Sequence, residues 1–352
     1  MAVTAPNRSD FRNDGQASAA ASDGTWGSFV QGLKPRLAAG LVTLGHVALD
    51  RTKVAANASR HKAMSDARMR AAEMTLADEV AASFTRAEGT DAREDRAHGT
   101  HRRGDEMPDL MADEMRRLGR IRAAEATLEA EAKAPPAADD DGLGSSSGMA
   151  GRTGRAQHGP HAKPPDKAQR NFTNPDSRIL PHQCGVVQGY NAQIAVDGAH
   201  QSIISQRVQT SHSDGNALKP LLGAARAMLR ANPKEVSADT RYRTNTNLAH
   251  RARRRIKGFL APGRARHSHK NAAGRRLWGS GSRIAAMATK LKRAGRRNRY
   301  RLQKQSVEPV FGQIKQARGF RQFLLRGLEK VRGEWAMVCT AHNLLKLANA
   351  TR

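Results

Sequence analysis

Between residues 190 and 262 the chain alternates short β-like runs with amphipathic helical ones, and this alternation restricts it to a sheet with helices laid on its faces. "GYNAQIAVDGAHQSIISQRVQTSH" holds two β-like runs, 190–196 and 202–209, around a polar turn with Asp197, Gly198 and His200, which predicts a hairpin. "NALKPLLGAARAMLRAN" then predicts a helix, "EVSAD" a strand, "NTNLAHRARRR" a helix and "IKGFLAP" a further strand. Upstream, "LGHVALD" predicts a short core strand ending in Asp50, and "FVQGLKPRLAAGL" before it has helical spacing with Pro35 as an early break.

The rest of the chain changes composition in blocks. Residues 1–28 form a polar, Ala- and Ser-rich leader expected to be disordered, and 29–60 open the core with the first aspartate. Residues 61–134, rich in Ala, Glu, Arg, Met and Leu, predict an insertion of two helices joined by a charged turn. A Pro-, Gly- and Ser-rich stretch at 135–167 reads as a flexible linker. The core with the second aspartate resumes over 168–263, a basic and partly helical segment covers 264–299, and helices close the chain over 300–352.

Charge narrows the function. Sixty Lys and Arg against 32 Asp and Glu leave a net +28, which points to a polyanionic partner, nucleic acid before an anionic membrane surface. The longest apolar runs are too short for a bilayer span, and the leader lacks the apolar core of a secretory signal, so a cytoplasmic location is expected. With only two cysteines, neither a disulfide framework nor a four-cysteine zinc site is available. His182, His200, His212 and Cys184 match no compact zinc spacing, and Cys339 with His342 reads as core.

Two acids occupy comparable positions, Asp50 after "LGHVAL" and Asp239 after "EVSA", where functional groups of α/β sheets gather. Capping of the next turn is the plainer role for either. A third acid, Glu308, stands among bases in "YRLQKQSVEPVFGQIKQARGF"; on a helix Lys304, Glu308, Phe311 and Lys315 share a face, and Phe311 implies that this face packs on the sheet. An ordinary salt bridge is the alternative for Glu308. Three carboxylates converging in a basic protein suit phosphodiester chemistry on two hard divalent ions.

At these residues the sequence resembles the DDE transposases of bacterial insertion sequences. "GHVALDRTKVAANASRHKAMS" is similar to the family's first-aspartate segment, "NFTNPDSRI" and "GYNAQIAVD" to its central strands, "SADTRY" to its second-aspartate segment, and "VEPVFGQIKQARGFRQFLLRGLEKVRGEWAMVCTAHNLLKL" to its glutamate-bearing C-terminal region. The resemblance implies a ribonuclease-H-like mixed α/β sheet flanked by helices. It implies Asp50, Asp239 and Glu308 as catalytic metal ligands for two Mg²⁺ ions, with Mn²⁺ as a substitute. It further implies DNA contacts from Tyr300, Arg301, Lys304 and Lys315, cleavage and strand transfer at transposon ends, and a homo-oligomer on DNA in the bacterial nucleoid. Relatives carry a helical DNA-binding region ahead of the first aspartate, which is expected to be missing here, as in a truncated or decayed copy. They also carry small residues where this chain has Arg51 and Arg241, so either arginine is expected to pair with a catalytic acid or to distort its turn.

Overall fold

The structure is a computed structural model that describes residues 18–98, 109–134, 162–182, 185–211, 213–261, 283–294 and 300–350. Most of the expected leader and linker, much of the basic segment, Cys184 and His212 lie outside the described residues. The chain begins with α1 (Ser18–Ala38) and β1 (His46–Ala55). Pro35 lies inside α1 rather than breaking it. Its ring fixes a helix-compatible φ and removes one N–H, while its carbonyl still accepts from Ala39 N–H at 2.9 Å.

The described residues divide into two compact units. The smaller holds β2 (Ala63–Ser65), α2 (Asp66–His98), α3 (Asp109–Lys133) and β3 (Gln169–Asn171). Met69 and Leu76 of α2 pack on Leu118, Ile121 and Leu128 of α3, as the three- and four-residue apolar spacing demands. β2 pairs antiparallel with β3. Of the expected strand "NFTNPDSRI", Asn171 closes β3 and Arg178 opens the next strand, while "FTNPDS" between them is a turn, because Asn171 Oδ1 accepts from Thr173 N–H at 3.0 Å and Asn174 N–H at 3.1 Å.

The larger unit carries the main sheet. To β1 it adds β4 (Arg178–His182), β5 (Gly185–Asp197), β6 (Ser202–Gln209), β7 (Glu235–Ala238) and β8 (Lys257–Leu260). The strands run β4-β5-β1-β7-β8, with β6 also on β5. β5 is antiparallel to β1 and β6, whereas β7 and β8 run parallel to β1. Its helices are α4 (Leu218–Leu229), α5 (Asn245–Arg253), α6 (Arg283–Ala294), α7 (Arg301–Gly312) and α8 (Leu328–Ala350). This mixed sheet flanked by helices is compatible with a ribonuclease-H-like fold.

Alternation along the strands sorts side chains between two layers. Val47 and Leu49 join Ala195, Ile204, Val236 and Ala238 in one core with Leu218, Leu221 and Leu222 of α4, Leu248 of α5 and Met287 of α6. On the other side α8 packs against β6 and α1, and α7 against β1. Asn343 of α8 brackets the backbone of Ile203, accepting from its N–H at 2.9 Å and donating to its carbonyl at 2.8 Å, so this helix is tied to β6 by hydrogen bonds as well as apolar contact. Cys339 and His342 are buried here, as expected; burial raises the thiol pKa well above its usual range and lowers the imidazole to about 4.

β1 does not stop at Asp50. Its polar second half, Arg51 to Ala55, pairs with Gln193 to Gly189 of β5, and Ala55 forms a parallel bridge with Gln322 on the other side. Backbone pairing on both sides holds a run that side-chain hydrophobicity alone would release. The approach is close at Gly189, where a Cβ would stand 2.3 Å from Val54 O.

Candidate active site

Parallel register places the two aspartates side by side. Leu49 of β1 pairs with Ala238 of β7, so Asp50 and Asp239 are the next residues of adjacent parallel strands. Each uses one carboxylate oxygen locally: Asp50 Oδ1 accepts from Arg51 N–H at 2.8 Å, and Asp239 Oδ1 from Thr240 N–H at 2.6 Å. Asp239 therefore does cap the short 3-10 turn Thr240–Tyr242, and it does so at the strand end where a site would lie. The second oxygen of each accepts no hydrogen bond among the described residues.

The pair is electrostatically loaded. Asp50 is half-buried, and its pKa rises to about 7, first through burial and then through the neighbouring charges of Asp239 and Asp214, against the opposing Arg51 N–H bond. Such a carboxylate gains most from an added cation.

Glu308 sits differently from the expectation. α7 buries Gln303, Ser306, Val307 and Val310, and Ile314 continues that stripe into a π-helical turn, Gln313–Ala317. Glu308 and Lys304 are exposed, because the apolar stripe 307-310-314 and not the Phe311 face meets the sheet. Glu308 nonetheless shares a neighbour with the aspartates. The half-buried Tyr300 phenol is raised to about 12 by burial and then by Asp239, Asp50 and Glu308, so all three acids act on one hydroxyl. Arg301 is exposed beside it.

Neither arginine pairs with Asp50 or Asp239 among the described residues, which corrects the expectation from the resemblance. Arg51 points to the opposite face of β1 from Asp50, and its Nε lies 2.7 Å from Oδ2 of the buried Asp214. Asp214 Oδ1 also accepts from Asn191 at 2.7 Å and Gln193 at 3.0 Å, side chains of the strand paired with β1. Arg241 is exposed in the 3-10 turn, and it is not among the positive-φ residues, so no glycine conformation is forced on it.

Asp214 and Tyr242 are buried neighbours of the aspartate pair that were not singled out in the sequence. Burial and then Asp214, followed by Asp50, raise the Tyr242 hydroxyl well above its usual range. The available signal was Asn191 and Gln193: two amides at alternate, inward positions of a β-run require a buried polar partner. Lys315, expected to contact a DNA phosphate, donates from Nζ to Lys53 O at 2.7 Å and so ties its turn to the strand that carries Asp50. Its pKa is lowered by burial and by Arg321.

Among the described residues no group of three or more His, Cys, Asp or Glu side chains is gathered closely enough to hold a metal ion. The two aspartates that do adjoin offer hard oxygen donors, which suit Mg²⁺ or Mn²⁺ rather than a soft metal. Residues 280–348 match the family model described as a transposase DDE domain, a segment that includes Glu308, Tyr300 and Lys315 but neither aspartate. No curated protein and no solved structure matches the chain. No helix among the described residues is long and apolar enough to cross a membrane.

Proposed function

We propose that the chain is a DDE-type transposase that cuts DNA at insertion-sequence ends and joins the freed 3′ hydroxyl to target DNA, a reading supported by the match of residues 280–348 to a transposase DDE domain. The observation that carries the reading is the shared register of Asp50, within β1, and Asp239, just past the end of the adjacent parallel β7, with Glu308 on the helix packed against β1. Asp50, Asp239 and Glu308 are the residues that would hold divalent cations. Bound there, such ions would activate the attacking oxygen and stabilise the leaving one.

The chain's own residues prepare that state. Asp50 and Asp239 present adjacent carboxylates whose mutual repulsion a cation relieves. Glu308 has no hydrogen bond or ion pair among the described residues, so its exposed side chain is free to turn toward them. Tyr300, Arg301 and Lys304 line the approach for a DNA backbone, and Lys315 keeps β1 in place through Lys53 O. The partners are transposon-end and target DNA, engaged by a homo-oligomer in the bacterial nucleoid.

A second reading, a DNA-binding remnant without turnover, is favoured by one observation: Glu308 stands outside a preformed cluster. The two are separated by incubating the protein with duplexes carrying the inverted repeats that flank its coding region, with Mg²⁺, with Mn²⁺ and with chelator. The enzyme reading expects end-specific nicks that chelator abolishes. A metal-independent mobility shift with no nick in either metal would establish the remnant.

A further inference from the structure

The layer of helices on the far side of the sheet from α7 carries a feature the acids do not account for. Two clefts open between α4 and α5. The first, about 540 Å³, is lined by Gly223, Arg226, Ala227, Arg230 and Arg254. The second, about 290 Å³, brings Lys219, His250, Arg253 and Arg283 together with Asn245 and Thr246. Neither lining includes an Asp or Glu among the described residues.

The linings also give the direction of the helices. Lys219 near the start of α4 shares the second cleft with α5 from Asn245 to Arg253, Arg226 and Arg230 at the end of α4 meet Arg254 just past the end of α5, and each helix returns between strands of the same direction, α4 from β6 to β7 and α5 from β7 to β8. The two helices therefore run the same way, and the clefts lie in line along them. With 12 residues, α4 is about 18 Å long. That length matches about five phosphates of one strand at 3.4 Å per step along the duplex axis.

Burial and then the cations of Arg254, Lys219 and Arg253 push the His250 imidazole below its ordinary pKa, which reports the positive field in the groove. Arg254 Nη1 and His250 Nε2 are buried and have no hydrogen-bond partner among the described residues. A surface of this kind, without local acids, repels itself until a polyanion neutralises it. No large exposed apolar side chain occurs on α4 or α5 among the described residues, which removes the insertion that a bilayer surface would require.

We infer that the α4–α5 groove is a second nucleic-acid surface, one that tracks the phosphate backbone of a DNA duplex. It rests on the reading of the chain as a DNA-processing protein, and it adds a face of the molecule that carries none of the proposed catalytic acids. Its recognition is of charge and spacing, so it adds affinity and orientation rather than sequence discrimination.

The test compares the unmodified chain with a variant carrying Arg226→Gln, Arg253→Gln and Arg254→Gln, and with the matching Arg→Lys variant. Arg230 is left alone because its backbone is left-handed at φ 54°. Affinity for a fluorescent duplex of arbitrary sequence is followed across a salt series, with thermal unfolding as a check on folding. Each lost phosphate contact lowers the slope of log K against log salt by about 0.9, so the Gln variant should lose about 2 to 3 units of slope and the Lys variant almost none. Arg226→Glu alone, on an exposed side chain, should lower affinity as well and covers the case of a misfolded triple variant. Unchanged slope in the Gln variant while the unmodified chain binds DNA would overturn the groove and leave the transposase reading intact. Absence of salt-dependent DNA binding by the unmodified chain would overturn both. Loss of binding to phosphatidylglycerol vesicles with DNA affinity unchanged would assign the groove to lipid instead.

Discussion

Asp50→Asn should abolish metal-dependent cleavage, by about a thousandfold or more, and at the same time make the metal-free protein more stable at neutral pH. The first effect follows from the proposed role of Asp50 as a charged metal ligand, whose electrostatic contribution would be made where the reaction develops charge. The second follows from its pKa, raised to about 7 chiefly by burial. Between the ordinary carboxylate range and pH 7, folded Asp50 keeps a proton that the unfolded chain releases. Its stabilising contribution is therefore complete below about pH 4 and is lost as pH rises through about 7. Asparagine carries no such penalty and keeps an oxygen for the Arg51 N–H bond. The gain at pH 8 should be on the order of 2–4 kcal/mol, with the unmodified protein catching up when Mn²⁺ is added. Urea unfolding at pH 5 and pH 8, with and without Mn²⁺, measures it; equal stability of the two proteins at pH 8 without metal would remove the electrostatic account of Asp50.

The second large effect is expected at Asp214. Substitution by Asn leaves the Arg51 guanidinium, only 11% exposed, without its counter-charge, and breaking a buried pair from one side costs about 3–5 kcal/mol. Arg51→Met with Asp214→Leu, which removes both charges together, should recover most of that loss. The same pair keeps the guanidinium on the far face from Asp50, so Asp214→Asn should also weaken Mn²⁺ binding, whereas the double variant should not. Chemical unfolding of the four proteins of this cycle gives the coupling. Additive losses would show that Arg51 and Asp214 do not act together.

What was legible in the sequence had a local cause. "EVSAD" and "IKGFLAP" could be read as strands because each is a short run of apolar and small residues closed by a polar residue or a proline, Asp239 and Pro262, and β7 and β8 stop within a residue or two of those limits. The hairpin of β5 and β6 was legible for the same reason, through the turn at Asp197 and Gly198. Features held by tertiary contact were not. The polar half of β1 stays in the sheet through Gln193, 142 residues from its partner Arg51, and through Gln322, 267 residues from its partner Ala55, neither of which any local pattern signals. Around Glu308 the buried stripe of α7 is set by the β-branched Val307, Val310 and Ile314 at three- and four-residue spacing, and the larger Phe311 lies off that stripe. Asp214 looked like a loop residue ahead of a helix, and its place beneath β1 depends on two amides contributed by β5.

The central claim is that Asp50, Asp239 and Glu308 hold the same divalent ions. Its most direct test is to replace Mg²⁺ with Fe²⁺, start hydroxyl-radical chemistry with ascorbate and peroxide on the DNA-bound protein, and map the breaks in the polypeptide. Radicals formed at a bound ion cut the backbone nearby, so three clusters of breaks are expected, around residues 50, 239 and 308, each suppressed by excess Mg²⁺. Breaks around 50 and 239 with none around 308, or breaks that Mg²⁺ does not suppress, would contradict it.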